Sequence, residues 1–403
     1  MKVLALLSLA ELLGMSLWFS ATAVVPALTR EWQLSSGDQA WLTMSVQCGF
    51  VIGTLLSAVL TISDIFSARS VFSISAVLAA LANGAIPLFA TSLELTLLFR
   101  FLTGVFLAGV YPPGMKIMAT WFKRGRGMAI GALVGALTIG SASPHLLTLL
   151  GTPDWRTLMM TASVLSLVAA GICALFVSAG PYDIGTAEFD WRFAGRALRN
   201  RSVRLVNFGY LGHQWELYAM WTWLPMFLLA SFEASGVPNS AALASSGAFA
   251  AIAVGGVSSV LAGIAADRFG RRAIAIVSLL VSGTCCVFVG QLYGGPPYVL
   301  LAACMFWGFA IIADSAQYSA SVTELTEPAY VGTALTLQTC LGFLLTLGSI
   351  RIIPMVVELV GWEWAFVALA PGPAVGVVAM HLLGQQGTER GAPGRAATTG
   401  GCT

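Results

Sequence analysis

The sequence predicts an all-α membrane protein, with twelve transmembrane helices in two parallel six-helix repeats. Three observations carry that prediction. Hydrophobic residues make up 57% of the 403-residue chain and charged residues only 9%, whereas a soluble domain carries roughly 25% charged residues. Apolar runs of about 20 residues, long enough to cross a bilayer, recur about twelve times. The first half of the chain also recurs in the second at a nearly constant offset. A mean hydropathy of +0.84 agrees with the first point.

These features argue against a soluble enzyme, a nucleic-acid binder and a disordered scaffold. The net charge is +2 with the basic residues scattered, so there is no basic face for nucleic acid. Cys48, Cys173, Cys285, Cys286, Cys304 and Cys340 lie in apolar runs and read as buried small hydrophobes rather than a disulfide framework. Lys2, Lys116 and Lys123 are the only lysines, and no phosphate-cradling G-x-x-x-x-G-K-[ST] loop occurs. No cofactor or metal site is expected, and the chain reads as a monomer in the lipid bilayer.

In the first half the spans run from Val3 to Leu28, Ala40 to Ile62, Ser70 to Ala90, Leu93 to Lys116, Met128 to Leu150 and Trp155 to Ser178. Lys2, the first apolar run and Ala21-Thr22-Ala23 imitate a signal peptide with its cleavage site. Glu11 interrupts that run, however, and the apolar stretch continues to Leu28, so the segment reads as a retained span. The second half gives Leu205 to Leu229, Ala241 to Ala265, Arg272 to Leu292, Pro297 to Val322, Gly332 to Ile353 and Trp364 to Leu383. This divides the chain into an N-terminal bundle (1–179), a linker (180–204), a C-terminal bundle (205–384) and a disordered tail (385–403).

Fifteen of the twenty basic residues fall on one side if the N-terminus is inside. They are Lys2, Arg69, Lys123, Arg124, Arg126, Arg192, Arg196, Arg199, Arg201, Arg204, Arg268, Arg271, Arg272, Arg390 and Arg395. Arg30, Arg156 and Arg351 lie outside, and Arg100 and Lys116 belong to the fourth span. By the positive-inside rule both termini are cytoplasmic, and a bacterial inner membrane is the expected location. Trp32, Trp41, Trp155, Trp362 and Trp364 then sit near the outer interface, where amphipathic rings collect.

The repeat is visible residue by residue. Glu11, Leu12, Met15 and Trp18 recur as Glu216, Leu217, Met220 and Trp223, an offset of 205. Gly127 and Ala129 recur as Gly332 and Ala334 at the same offset, Asp64 recurs as Asp267 at 203 and Trp155 as Trp362 at 207. Parallel repeats about an axis along the membrane normal are a transporter architecture.

Between spans eight and nine stands Gly263-Ile264-Ala265-Ala266-Asp267-Arg268-Phe269-Gly270-Arg271-Arg272. This G-x-x-x-D-R-x-G-R-R stretch resembles the loop signature of the major facilitator superfamily. Between spans two and three the copy is degenerate: Asp64 and Arg69 remain, with Leu60, Ile65 and Ser67 at the other positions. Arg100-x-x-x-Gly104 resembles the family's second signature, and Trp121-Phe122 with Arg126-Gly127 its fourth-to-fifth connection. The antiporter signature of the fifth helix is not matched, because Gly131 and Gly135 are followed by Ala136 rather than proline. The resemblance implies a transporter fold with helices one, four, seven and ten around a central cavity. It also implies that Asp64, Arg69, Gly263, Asp267, Arg268, Gly270, Arg271 and Arg272 form gate latches. Asp267 can cap a helix N-terminus or pair with an arginine; the bland alternative is a loop that serves only to set topology.

Ionisable groups within a span are costly and therefore functional candidates. Glu11, Arg100, Glu216 and Asp314 qualify, as do His145 and His213, while Lys116 can snorkel to the interface. At 1.5 Å per residue, Glu11 lies about 12 Å from one edge and Arg100 about 12 Å from the other. The two side chains are therefore expected to share one polar network. Glu11 and Trp18, Glu216 and Trp223, and Trp307 and Asp314 are each seven residues apart, nearly on one helix face. With Tyr111 and Tyr318 they outline a candidate substrate cavity, acidic below and aromatic above. The alternative is tryptophans that pack between helices and acids that are structural hydrogen-bonders.

His213 precedes Glu216 by three residues, so the two can share a face and a proton. A histidine donating to a backbone carbonyl fits equally well, and His145 after Pro144 reads as structural. Three deep carboxylates face one deep arginine, so one of them must be neutral in some state. Glu216 and Asp314 lead as proton-coupling groups, with Glu11 and His213 beside them. The sequence thus predicts proton-driven transport of a small organic solute, Arg100 admitting an anionic group. A drug-efflux pump and a non-transporting membrane sensor or scaffold are the alternatives.

Overall fold

A computed structural model describes residues 1–122, 125–148, 154–182, 195, 199–327 and 330–391. Lys123, Arg124, Arg192, Arg196 and Arg395 lie outside the described residues, as do the side chains of Asp64, Arg126 and Arg390. Most of the linker and the end of the tail are outside as well.

The described chain is helical, and no strand occurs in it. Ten helices or helix pairs are long and apolar enough to cross a bilayer. The third span, Ala68–Phe89, shows why apolar patterning alone identifies them. Ile74, Leu81 and Leu88, spaced by seven, are about 60% exposed, while Ala76, Ala79 and Asn83 on the opposite face are buried. A water-soluble helix would reverse this arrangement; large apolar side chains turned outward require a hydrocarbon solvent.

The two remaining crossings are the first and the seventh, which the repeat relates to each other. The first is divided into Lys2–Met15, Ser20–Ala23 and Val25–Trp32. The seventh is one helix, Arg201–Ala234, whose buried face carries Asn207, His213, Gln214 and Glu216. Breaks also divide the fourth crossing into Leu93–Leu107 and Tyr111–Trp121, and the tenth into Pro297–Ile312 and Ser315–Leu325. Both of these crossings run 29 residues in all, and Ala108 and Ala313, at which they break, again differ by 205.

Other boundaries move for local reasons. The second span begins at Ser36 rather than Ala40, because Ser35 and Asp38 form a reciprocal capping box. The eighth runs from Ser240 through Phe269 and the ninth starts at Arg271, so the predicted loop is one residue, Gly270. Its φ of +86° with ψ of 143° is open to glycine and strained for other residues. The eleventh helix, Val331–Val360, and the last, Pro371–Gly391, both outrun their apolar cores. Helix therefore continues to Gly391, into the segment expected to be disordered.

Spans five and eight pack backbone to backbone between the two halves. A Cβ on Gly131 would stand 2.6 Å from the Ser259 carbonyl, and one on Gly135 2.5 Å from that of Gly256. Ser259 Oγ donates to the Gly131 carbonyl, a hydrogen bond of 2.5 Å that only such an approach permits. Spans two and eleven meet on the other side, where Ser36 Oγ donates to Glu358 at 2.6 Å.

Candidate functional site

Glu11, Arg100, His213, Glu216 and Asp314 are all 1% exposed or less. Each is placed by a helix or by the break in one. In the first crossing, Ser16 and Ser20 flank the break, and their hydroxyls return to the Leu13 and Leu17 carbonyls at 2.7 and 2.9 Å. Such local bonds compete with helix continuation and leave carbonyls facing inward. Arg100 collects them. Its guanidinium donates to the Leu17 carbonyl at 2.9 Å, to the Trp18 carbonyl, to the Leu42 carbonyl at 3.3 Å and to Ser20 Oγ at 3.2 Å. Asn83 completes the arrangement, accepting from Ser20 at 2.8 Å and donating to Met159 O and Ser163 Oγ at 3.0 Å each.

Arg100 and Glu11 do not share this network, contrary to the sequence expectation. The Glu11 carboxyl has no hydrogen-bond partner among the described residues. It faces Gly114, where a Cβ would meet Oε2 at 2.8 Å, and Tyr111 lies near it. Arg100 is on the first segment of the fourth crossing and Gly114 on the second, fourteen residues apart and so about 20 Å along the axis. The fourth crossing is longer than its apolar stretch suggested, which places Glu11 well away from the arginine.

The C-terminal half gathers its titratable groups differently. Asp314 occupies the break of the tenth crossing and is the N-cap residue of Ser315–Leu325. His213 Nδ1 stands 2.9 Å from Asp314 Oδ1. Tyr318, one turn further along, donates to Asp314 Oδ2 at 2.6 Å. Tyr210 closes the group, its ring 6.4 Å from the His213 ring and 6.1 Å from that of Tyr318. Glu216 turns instead toward the ninth span, accepting from Ser282 Oγ at 2.6 Å and Cys286 Sγ at 3.2 Å. The expected His213–Glu216 pair is therefore replaced by a His213–Asp314 pair between helices.

The tryptophans divide by role. Trp223 Nε1 donates to the Ile350 carbonyl at 2.9 Å, which is packing between helices. Trp307 lies edge-on to Phe366 at 5.1 Å. Trp18 meets Phe50 at 5.0 Å and reaches across to Tyr218 at 5.8 Å and Phe343 at 5.5 Å in the other half. One turn from the Phe50–Phe343 contact, Gln47 and Thr346 hydrogen-bond across the same interface. His145 is buried, and its Nε2 has no partner among the described residues.

At the signature corner, the Asp267 carboxylate abuts the first turn of the fifth span. A Cβ on Gly127 would meet its oxygens at 2.8 and 2.9 Å, and one on Gly263 would meet the Gly127 carbonyl at 2.6 Å. Arg271 pairs with Glu324 at 2.8 Å and donates to Gln317 at 3.4 Å. Arg268 lies over the Phe269 ring at 5.3 Å, and Arg272 packs on Gly384. Arg69 stands in the first turn of the third span, next to Cys173. Asn83, Gln47, Gln214 and Thr346 were not singled out in the sequence. The three amides carried a signal, since an amide buried in an apolar span is costly unless it is paired.

Helices broken at matching positions, two six-helix halves and a polar centre between them are the geometry of one large transporter family. The profile of the Major Facilitator Superfamily matches residues 6–259 and 238–399. This chain belongs to the Major Facilitator Superfamily. It is an integral membrane transporter and not an enzyme.

The chain is 24% identical over 326 residues to the 4-hydroxybenzoate transporter PcaK of Acinetobacter baylyi, covering 69% of this chain and 68% of that one. It is 30% identical over 134 residues to the niacin transporter NiaP of the same organism, covering 30% and 29% of the two chains. With the probable sulfoacetate transporter SauU of Cupriavidus necator it shares 26% over 205 residues, 46% of each. Among solved structures, the proton:xylose symporter XylE superposes with a TM-score of 0.71 at 16% identity, covering 95% of each chain. The nucleoside transporter NupG superposes at 0.69 and 16%, covering 94% of this chain and 99% of that one. These likenesses show the fold.

Proposed function

We propose that this protein moves a small organic anion across the bacterial inner membrane by alternating access, driven by protons. The halves 1–179 and 205–384 would rock about the midplane, joined by the linker 180–204. The observation that carries the coupling is the buried His213–Asp314–Tyr318 group. It sits in a half with no deep arginine, at a helix break where a change of protonation acts on backbone geometry. Glu216 is the second candidate and Glu11, with no hydrogen-bond partner among the described residues, the third. The anion reading is supported by three similar transporters whose named substrates, 4-hydroxybenzoate, niacin and sulfoacetate, are organic acids. The basic residues crowd the face that carries the chain ends, which supports cytoplasmic termini.

In this reading contacts hold the halves at both faces. Asp267 meets Gly127 on the cytoplasmic side, and Ser36 meets Glu358 on the other. Each side must release in turn. The test is transport into proteoliposomes under a pH gradient, using a panel of radiolabelled organic anions. Asp314→Asn should abolish uphill accumulation while retaining anion exchange; undiminished uphill accumulation in that variant overturns coupling through Asp314.

A further inference from the structure

We propose that the anion is an aromatic carboxylate, and that neutral polar side chains at the interface between the halves hold it rather than Arg100. The proposal rests on the organic-anion reading above. Arg100 is the deep cation that the sequence offers to an anion, yet each of its three guanidinium nitrogens already donates, to carbonyls and oxygens of the first crossing, the second span and Asn83. A ligand would have to displace these bonds and expose the carbonyls of the break. The guanidinium is therefore a fixture of the fold.

Unsatisfied capacity lies elsewhere. Trp18 Nε1 is buried with no hydrogen-bond partner among the described residues, and an indole nitrogen can only donate. Gln47 is completely buried, and its amide carries two polar ends. Thr346 Oγ1 engages one of them; its hydroxyl also lies 2.7 Å from the Phe343 carbonyl. Whichever acceptor takes that single proton, one end of the Gln47 amide stays free. Gln214 repeats the pattern from the other half: one end meets Tyr210 Oη at 2.5 Å and the other is unpartnered. Buried polar atoms left unpaired in a membrane interior are uncommon, because each costs free energy that a partner would recover.

These three side chains border one aromatic layer, Gln47 on the side of Thr346 and Gln214 on the opposite side, against Gly342. Trp18 touches Phe50, Tyr218 and Phe343. Gln47 lies one turn from Phe50 on the second span, and Gln214 one turn from Tyr218 on the seventh. Gln214 also packs on Gly342, the neighbour of Phe343, with its Cγ 3.0 Å from where a Cβ would stand. The rings come from both halves and meet at 4.7 to 5.8 Å between centroids. Parting of the halves separates them into flat walls suited to a planar ring. The Trp18 N–H then serves the carboxylate and the free N–H₂ of Gln47 its second oxygen, while Gln214, across the layer, is left to meet a ring substituent. An aliphatic acid of equal charge satisfies the donors but not the walls.

Counterflow in proteoliposomes with benzoate, nicotinate and propionate as probes tests this. The wild type is expected to exchange the two aromatic acids and to take propionate at least tenfold less efficiently. Trp18→Phe keeps an aromatic, though smaller, wall and removes the N–H, and should raise KM for benzoate roughly tenfold or more, the scale of one hydrogen bond to a charged group. Gln47→Leu should raise it several-fold, and melting curves in detergent verify that every variant is folded. Propionate preferred over benzoate, or a folded Trp18→Phe with unchanged KM, overturns the aromatic-acid site while leaving the organic-anion reading standing. Transport of neutral or cationic solutes with no anion exchanged overturns both.

Discussion

Replacing Arg100 with methionine tests whether this arginine serves the fold or the substrate. Methionine fills similar apolar volume but donates nothing. The Trp18 carbonyl lies ahead of Phe19, the N-cap of Ser20–Ala23, and so takes no bond from that helix's repeat. Without Arg100 it is left unpaired in a buried site, at about 1 to 3 kcal/mol. The Leu17 carbonyl keeps the Ser20 N–H at 3.4 Å, and the single Ser20 hydroxyl proton still serves either Leu17 or Asn83, so these lose only part of their bonding. Leu42 belongs to the regular second span and likewise keeps its helical partner. Relief of the buried charge offsets some of the loss. A net cost of about 2 kcal/mol follows, or roughly 4 to 8 °C in Tm if the N-terminal half unfolds as a unit of ordinary size. Lysine, with one compact ammonium in place of a planar fork, should fall between the two. Thermal unfolding in detergent reads the order wild type, Arg100→Lys, Arg100→Met. If Arg100→Met melts with the wild type while losing anion transport, the arginine belongs to the substrate and the reasoning fails.

Two further outcomes follow from the packing and the outer surface. Gly131→Val should force spans five and eight apart, since even a Cβ there would stand 2.6 Å from the Ser259 carbonyl; faster hydrogen exchange in both helices is expected, and unchanged protection would refute the close approach. Glu31, beyond the apolar part of the first span, accepts from Trp155 Nε1 at 2.6 Å and Arg156 at 2.9 Å, and these bonds hold its carboxyl below the usual 4.5. A depressed carboxyl pKa stabilises the fold above the unfolded value and ceases to do so as pH falls through the folded one. The melting advantage of the wild type over Glu31→Gln should therefore be present near neutral pH and vanish at the acid end; an advantage that persists there refutes the contact's role.

Composition and periodicity were enough to reveal the spans, the repeat and the burial of Glu11, Arg100, His213, Glu216 and Asp314. They could not reveal how those groups pair. The Glu11–Arg100 expectation came from counting depth along uninterrupted helices, and hydropathy carries no mark of the break at Ser16–Phe19 that supplies Arg100 with carbonyls. His213 was matched to Glu216 because spacing along one helix is legible, whereas its neighbour Asp314 comes from a helix about a hundred residues later. The signature between spans eight and nine was recognised as a motif, yet it folds as two helix ends with Gly270 between them. Asp267 and Arg268 therefore belong to a helix end, and a signature read as a loop is in fact a corner.

The first and seventh crossings began as copies, yet one is broken and the other is not. Duplication supplied two equivalent helices, and divergence spent them on different tasks. In the first, serines and an arginine from the fourth crossing hold an interruption open. In the second, an unbroken helix carries His213 and Glu216 in fixed register. A protein assembled from two N-terminal halves would have two interruptions and no histidine–aspartate pair, and one assembled from two C-terminal halves the reverse. The ancestral symmetry survives in the outline of the molecule, while its centre has become a heterodimer in a single chain.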